Sequence, residues 1–295
     1  MLRWLLLVFL TPVLAQTGPA TTTEQAATGL GMLQRRYTEG AISHYLMTGN
    51  NDGWQYAIHT TDVVKRDAKG RYYEEIHWSN LTSSAQQALT PASLALVQTV
   101  SLDDPAFYMK VPDLAAVQPL LIGPITDTFT FYSDLLLAIQ AKLVQPGQTA
   151  YIARTSPNSW ADGQHVLLGE DVVDFSLKVQ NVNSAEHTET LLIQHVPPAA
   201  LHVRLPAKWM QEPVSAEPPN FVQVSKRGDG FTAEIGRETF DVQLVVDMRD
   251  GRILSAAMHN PVALATRECR DRELTHCEPS NSKTTLREIS WKLVP

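Results

Sequence analysis

The chain has 295 residues, a net charge of −7 and ordinary globular proportions, 44% hydrophobic against 19% charged. That balance offers no basic excess to neutralise phosphates, which excludes nucleic acid as a partner and argues against strong binding to anionic membranes. The length accommodates one large domain with a sizeable core, or two smaller ones.

The N-terminus, "MLRWLLLVFLTPVLA", places Arg3 before an apolar run from Trp4 to Leu10, with small or modest residues leading to Ala15. This is the pattern of a secretory signal peptide over residues 1–15. The run is about ten residues, too short to cross a bilayer of roughly 30 Å. The reading therefore implies export to the periplasm or the extracellular space and no transmembrane segment once the signal is removed. Losing Arg3 moves the net charge from −7 to −8. Residues 16–40 read as a polar leader, "QTGPATTT", and a short helix capped by Thr22 or Thr23 that runs to Arg36.

Residues 41–295 read as a single β-rich domain. In "WQYAIHTTDVVKR" the set Trp54, Tyr56, Ile58 and Val64 alternates with Gln55, His59, Thr61 and Lys65. Period two with aromatic and β-branched residues marks a half-buried strand. "RYYEEIHWSN" repeats the pattern with Tyr72, Ile76 and Trp78. A three-residue loop, Ala68-Lys69-Gly70, pairs Asp67 with Arg71 and uses a left-handed glycine. That register puts both apolar sets on one face, whereas a two-residue loop sets them against Glu75 and His77.

The pattern turns helical over residues 90–145. Pro91 opens "PASLALVQTV" at a first helical position. "PDLAAVQPLL" is similar and is cut by Pro119. "DTFTFYSDLLLAIQAKL" is the strongest helix, with Phe131, Leu135 and Ala138, and then Phe129, Tyr132 and Leu136, at helical spacing before "QPG". It serves as a layer covering the sheet or as a lid. Strands return after Gly147, including "DFSLKVQ" and "TETLLIQHV", then the proline-rich stretch holding Trp209 and Met210. A meander follows, with "GDG" and "RDG" as turn signals, and "TTLREISWKL" ends the chain.

These elements predict a mainly β or α+β fold: an antiparallel meander of about ten to twelve strands with a helical middle section, a half-barrel being one of its forms. "RECRDRELTHC" holds both cysteines, Cys269 and Cys277. In an oxidising compartment their spacing predicts a disulfide staple, against the alternatives of a metal site or a redox pair lacking C-x-x-C.

Motifs for common chemistries are missing. There is no G-x-S-x-G, H-E-x-x-H, Walker loop, C-x-x-C or G-x-G-x-x-G, so no catalytic residue and no cofactor is assigned. His59 and His77 fall diagonally across the predicted hairpin, but no third ligand accompanies them and no metal is assigned. His187, Glu189 and His195 share one strand face. Glu170, Asp171 and Asp174 are the acids best placed for a two-carboxyl cleft. Trp160, in "SPNSWADGQ", and Trp209 are candidates for ligand or partner contact, each with the alternative of a plug folded over the core. Asn80-Leu81-Thr82 is a glycosylation sequon in a host with that machinery.

The run of "YYEEIHW", "NSWADG", "RLPAKWMQEPV", "GRETFDV" and "DGRILSAAMHNPV" resembles exported bacterial proteins that carry no assigned function. A looser, architectural likeness is to periplasmic lipoprotein carriers of the LolA/LolB type, which cover the concave face of a β-meander with helices. The expectation is a non-catalytic protein that binds a lipid or other apolar ligand, or an envelope protein. Its site lies on the face beneath Phe129, Tyr132 and Leu136. A secreted hydrolase with acids assembled by the fold, or a structural envelope component, is the alternative.

Overall fold

Alternation along the chain becomes an open antiparallel sheet in the computed structural model, which describes residues 36–51, 53–84, 88–101, 117–152, 166–171, 174–196, 201 and 205–295. The strands are β1 (Ile42–Asn51), β2 (Trp54–Arg66), β3 (Tyr72–Ser83), β4 (Val97–Ser101), β5 (Thr149–Ile152), β6 (Val166–Asp171) and β7 (Asp174–Asn183). They continue as β8 (Thr188–Val196), β9 (Phe221–Arg227), β10 (Gly230–Glu238), β11 (Phe240–Asp247), β12 (Ile253–Cys269) and β13 (Asn281–Val294). Two helices interrupt them, α1 (Pro91–Leu94) and α2 (Pro119–Gln140). The main path runs β4-β3-β2-β1-β13-β12-β11-β8-β7-β5, and a side branch leaves β12 as β10-β9-β6. The signal peptide, the leader helix up to residue 35 and Trp160 lie outside the described residues.

The β2–β3 hairpin has the expected register, with Arg66 opposite Tyr72 and Lys65 opposite Tyr73. Asp67 and Gly70 close the loop through backbone bonds of 2.9 Å to Arg71 and from Gly70. Gly70 sits at φ +83°, open to glycine and strained for other residues. The Asp67 carboxylate holds the rest of the turn, accepting from the Lys69 and Arg71 amides at 2.9 Å and from the Arg71 guanidinium at 2.7 Å.

Of "PASLALVQTV" only Pro91–Leu94 is helical, capped by the Thr90 hydroxyl, which accepts from the Ser93 amide at 3.2 Å; residues 102–116, with most of "PDLAAVQPLL", lie outside the described residues. Val97–Ser101 is instead a strand on the open edge of β3. The β-branched Val97, Thr99 and Val100 suit a pleated surface, and β3 offers a free row of backbone groups. Pro119 does not cut a helix. It stands at the first position of α2, where its missing N–H has no partner to lose.

One ribbon organises the rest. β12 pairs with β11 over its first half and with β10 over its second. Asp241 faces His259 and Glu238 faces Val262 in one unbroken register. β10 and β11 thus behave as one long strand with a break at Thr239. Pro261 sits where β12 changes partner. Because alternation carries through, Val242, Leu244 and Met258 face one side, whereas Ala233, Ile235 and Ala265 face the other. Each side builds its own core. The first contains Tyr45, Ile58, Trp78, Leu135, Ile193 and Trp291, and the second Met210, Val224, Ile235, Cys269 and Leu274.

Candidate functional site

Helix α2 lies in the first core, and its sidedness explains why. Leu121, Ile125, Phe131, Tyr132, Leu135 and Ala138 are buried on one broad arc, while Thr126, Thr130 and Ser133 occupy the opposite one. The side chain of Gln98 on β4 donates to the Ile125 carbonyl at 3.1 Å, and Asp134 meets His195 of β8. Nine helical residues separate those points by about 14 Å. On a flat sheet β4 and β8 stand about 34 Å apart. The sheet therefore curls around the helix. Strands β4 and β5 end the path without pairing, so the curl stays open.

At the floor of this groove Trp291 stacks on Tyr45 with ring centroids 4.1 Å apart, and Phe131 and Tyr132 of α2 close over it at 6.0 and 5.7 Å. Of Phe129, Tyr132 and Leu136, the residues expected to line a binding face, Tyr132 belongs to the first core, and all three are buried, at 6%, 1% and 5% exposed.

Besides the Gln98 bond, three contacts that involve ionisable side chains pin α2 to the sheet. In the first, the Arg287 guanidinium of β13 donates to Asp127 at 2.5 Å and to the Asn260 side-chain oxygen at 3.2 Å. The Tyr56 hydroxyl approaches the same carboxylate at 3.5 Å. Tyr56 reaches it because its ring lies over Gly49, where a Cβ would come within 2.1 Å of a ring carbon. Burial pushes the Asp127 carboxyl up against the opposing pull of Arg287. Arg287 is held above its ordinary value, chiefly by the Asp127 charge. Burial also raises Glu238 nearby, and burial together with the Asp127 charge raises the Tyr56 hydroxyl well above its usual range.

In the second contact the Tyr132 hydroxyl donates to Glu74, with Asp62 at 3.3 Å. Both carboxylates are buried on the face of β2 and β3 that carries Ile58, Ile76 and Trp78. In the third, both Asp134 oxygens lie 3.2 Å from His195 Nε2, whose ring is flanked by Phe175 and Phe240. These charged residues are absent from the expected site. Their signal was phase: Asp62 and Glu74 occupy even positions of the alternating apolar runs, and Arg287 is in step with Ile289 and Trp291.

The remaining candidates sit elsewhere. Trp209 lies in the second core region, on a short 3-10 turn (Lys208–Gln211), donating to the Leu274 carbonyl at 3.2 Å beneath the Arg267 guanidinium. It is a plug rather than an exposed contact. Cys269 and Cys277 are bonded, as their spacing predicts, with Cα atoms 4.0 Å apart. The loop between them is not an idle connection. Leu274 is 1% exposed in the second core, and Asp271 accepts from the Thr275 and His276 amides at 2.9 and 2.6 Å. The Thr275 hydroxyl, donating at 2.6 Å, and then those amide bonds hold the Asp271 carboxyl down at about 2.

His59 and His77 are diagonal on the outer face, opposite Ser79 and Thr61. No group of three or more metal-ligating side chains occurs among the described residues. His187 is not on the strand of His195; it sits in the preceding turn at φ +55° and is exposed. Asp174 is on the surface with the Tyr151 hydroxyl at 2.5 Å, and Asn80 is exposed at a bulge in β3. No helix among the described residues is long and apolar enough to cross a membrane.

Fold and site together define an open, curled antiparallel sheet whose groove is occupied by one of the chain's own helices. No protein-family model matches the chain, and no curated protein is significantly similar to it. Its functional reading rests on these residues and their geometry.

Proposed function

We propose that this chain is an exported, non-catalytic binding protein of the cell envelope that takes a lipid or similar apolar ligand into the groove held by α2. One observation carries the reading. Every strand is tied to a neighbour by backbone hydrogen bonds, whereas α2 is fastened over the aromatic floor largely through side chains. The helix is therefore the separable element of the first core. Its Gln118 N-cap makes no side-chain cap bond, and no acidic residue stands in its first turn or basic residue in its last. Its stability thus depends on the groove rather than on its own ends. An acyl chain offers the same apolar surface in its place. The apolar N-terminal run and the disulfide support export, and the likeness to LolA/LolB-type carriers agrees with a filled groove.

Native mass spectrometry of the protein gently purified from its own host tests the reading. The expected result is a mature chain beginning near Gln16 with a lipid-sized adduct. After delipidation, saturable uptake of a fluorescent apolar probe is expected, with loss of the Phe131–Trp291 contact. A mature chain with no adduct and no probe uptake overturns the carrier reading and leaves a structural envelope role ahead.

A further inference from the structure

Resting on that reading of the groove, we infer that the ligand is an anionic amphiphile, whose carboxylate or phosphate takes the place of Asp127 on Arg287. Arg287 is a charged residue on the buried face of a strand otherwise lined by Ile289 and Trp291. The carboxylate opposite it belongs to the helix that must leave, not to the sheet. Three sheet groups remain beside the guanidinium: Asn260, which accepts from it, Glu238 and Tyr56. The Asp127 charge acts on the guanidinium more strongly than that of Glu238, so the departure of α2 removes the larger part of its balance.

An uncharged chain entering the groove leaves Arg287 buried without the Asp127 charge, an expensive state. A chain ending in an anion restores the charge-assisted bond. Asp62 and Glu74, two further acids of the sheet in this groove, are met by the Tyr132 hydroxyl at a different point. Asp127 thus acts as a built-in stand-in for an anionic headgroup, and the ligand competes with it for Arg287.

The test uses the delipidated mature chain and two probes of equal chain length, palmitate and hexadecanol, each displacing a fluorescent apolar dye at pH 8. Palmitate is expected to bind at least about tenfold tighter, the size of one modest charge-assisted bond. Arg287→Gln should remove that preference and leave hexadecanol binding in place. Asp127→Asn should raise palmitate affinity several-fold, because it weakens the competitor and keeps the guanidinium. Equal affinities in the wild-type chain, or a preference that survives Arg287→Gln, overturns the inference while the apolar-ligand reading stands. If neither probe displaces the dye, both fail. Should Arg287→Gln not fold, unchanged or weaker palmitate binding by Asp127→Asn overturns the inference alone. Transfer from phosphatidylglycerol vesicles, set against phosphatidylcholine vesicles, assigns the anion to a phospholipid; uptake of palmitate alone assigns it to a free carboxylate.

Discussion

The groove and the disulfide-bearing arm are built on the same ribbon and are secured in opposite ways. Over the groove half, the ribbon presents Val242, Leu244 and Met258 to a helix that brings large aromatics and three polar contacts. Over the arm half, it presents Ala233, Ile235 and Ala265 to a short turn and a loop closed by a covalent bond. The arm's core is made of smaller side chains and is locked by Cys269–Cys277. The groove's core is larger and is closed by contacts that can be exchanged for others. A chain that needed only rigidity would have no use for buried charges beneath α2, since well-packed apolar residues serve stability as well or better. The contrast places adaptability on the groove side.

The largest expected effect is on the groove floor. Trp291→Ala removes the ring on which Tyr45, Phe131 and Tyr132 converge and is expected to destabilise by about 3–5 kcal/mol. Urea unfolding gives the loss. Amide exchange should show it concentrated in α2, β1 and β13, with β9 and β10 keeping their protection. Uniform deprotection of both halves would break the contrast.

Arg287→Met comes next, at about 3 kcal/mol near pH 8, because it leaves Asp127 buried without its cation. Burial already raises Asp127, and removing Arg287 raises it further. A carboxyl raised in the folded state costs stability where it ionises, so the deficit should shrink as pH falls toward 5. Adding Asp127→Leu to Arg287→Met should recover much of the loss at pH 8. A deficit independent of pH would show that lost packing, not the stranded charge, is responsible.

Removing the staple by Cys269→Ser with Cys277→Ser is expected to cost about 2–3 kcal/mol by the chain-entropy estimate for so short a loop. The loss should be local: faster exchange in β9, β10 and the second half of β12, and unchanged exchange in α2. The Asp271 bonds to Thr275 and His276 keep some loop order after reduction. The carboxyl that makes them stays ionised down to about pH 2. Loosening of the groove on reduction would mean that the two halves share one cooperative unit.

The β2–β3 register was legible because a single loop choice separated two outcomes, and only one kept Trp54, Tyr56 and Ile58 with Tyr72, Ile76 and Trp78. The disulfide was legible because a chain with two cysteines allows one pairing. The groove's charged contacts were not. Asp62, Glu74 and Arg287 stand in phase with apolar neighbours, and alternation reports which face a residue takes, not what crosses from another element to meet it. Asp127 and Asp134 sit on a helix whose docking depends on contacts with strands up to 160 residues away in sequence. β4 was misread for a related reason: "PASLALVQTV" has a good helix start, and the free edge of β3 recruits its second half.

The smallest expected effect concerns Glu189, at the end of β8 opposite Val246 of β11 and Val182 of β7. It is fully buried, and neither carboxyl oxygen has a hydrogen-bond partner. Burial alone pushes its carboxyl from 4.5 to about 7. Between those values the folded chain keeps a proton that the unfolded chain has released, so stability falls as pH rises through the window and stays lower above it. Below 4.5 both states are protonated, and the group costs only an unpaired polar side chain. Glu189→Gln removes the ionisation and leaves an amide as unpaired as the protonated carboxyl, so the net gain at pH 6 is expected to be about 2 kcal/mol. At pH 4.5 the gain should vanish. Comparing urea midpoints of the variant and the wild-type chain at the two pH values isolates this carboxyl from Asp127 and Glu238, which titrate in both proteins. An equal gain at both pH values would mean that Glu189 carries no proton of its own near neutrality. The groove would then lack a carboxyl that titrates in this window, and its contrast with the arm would rest on the α2 contacts alone.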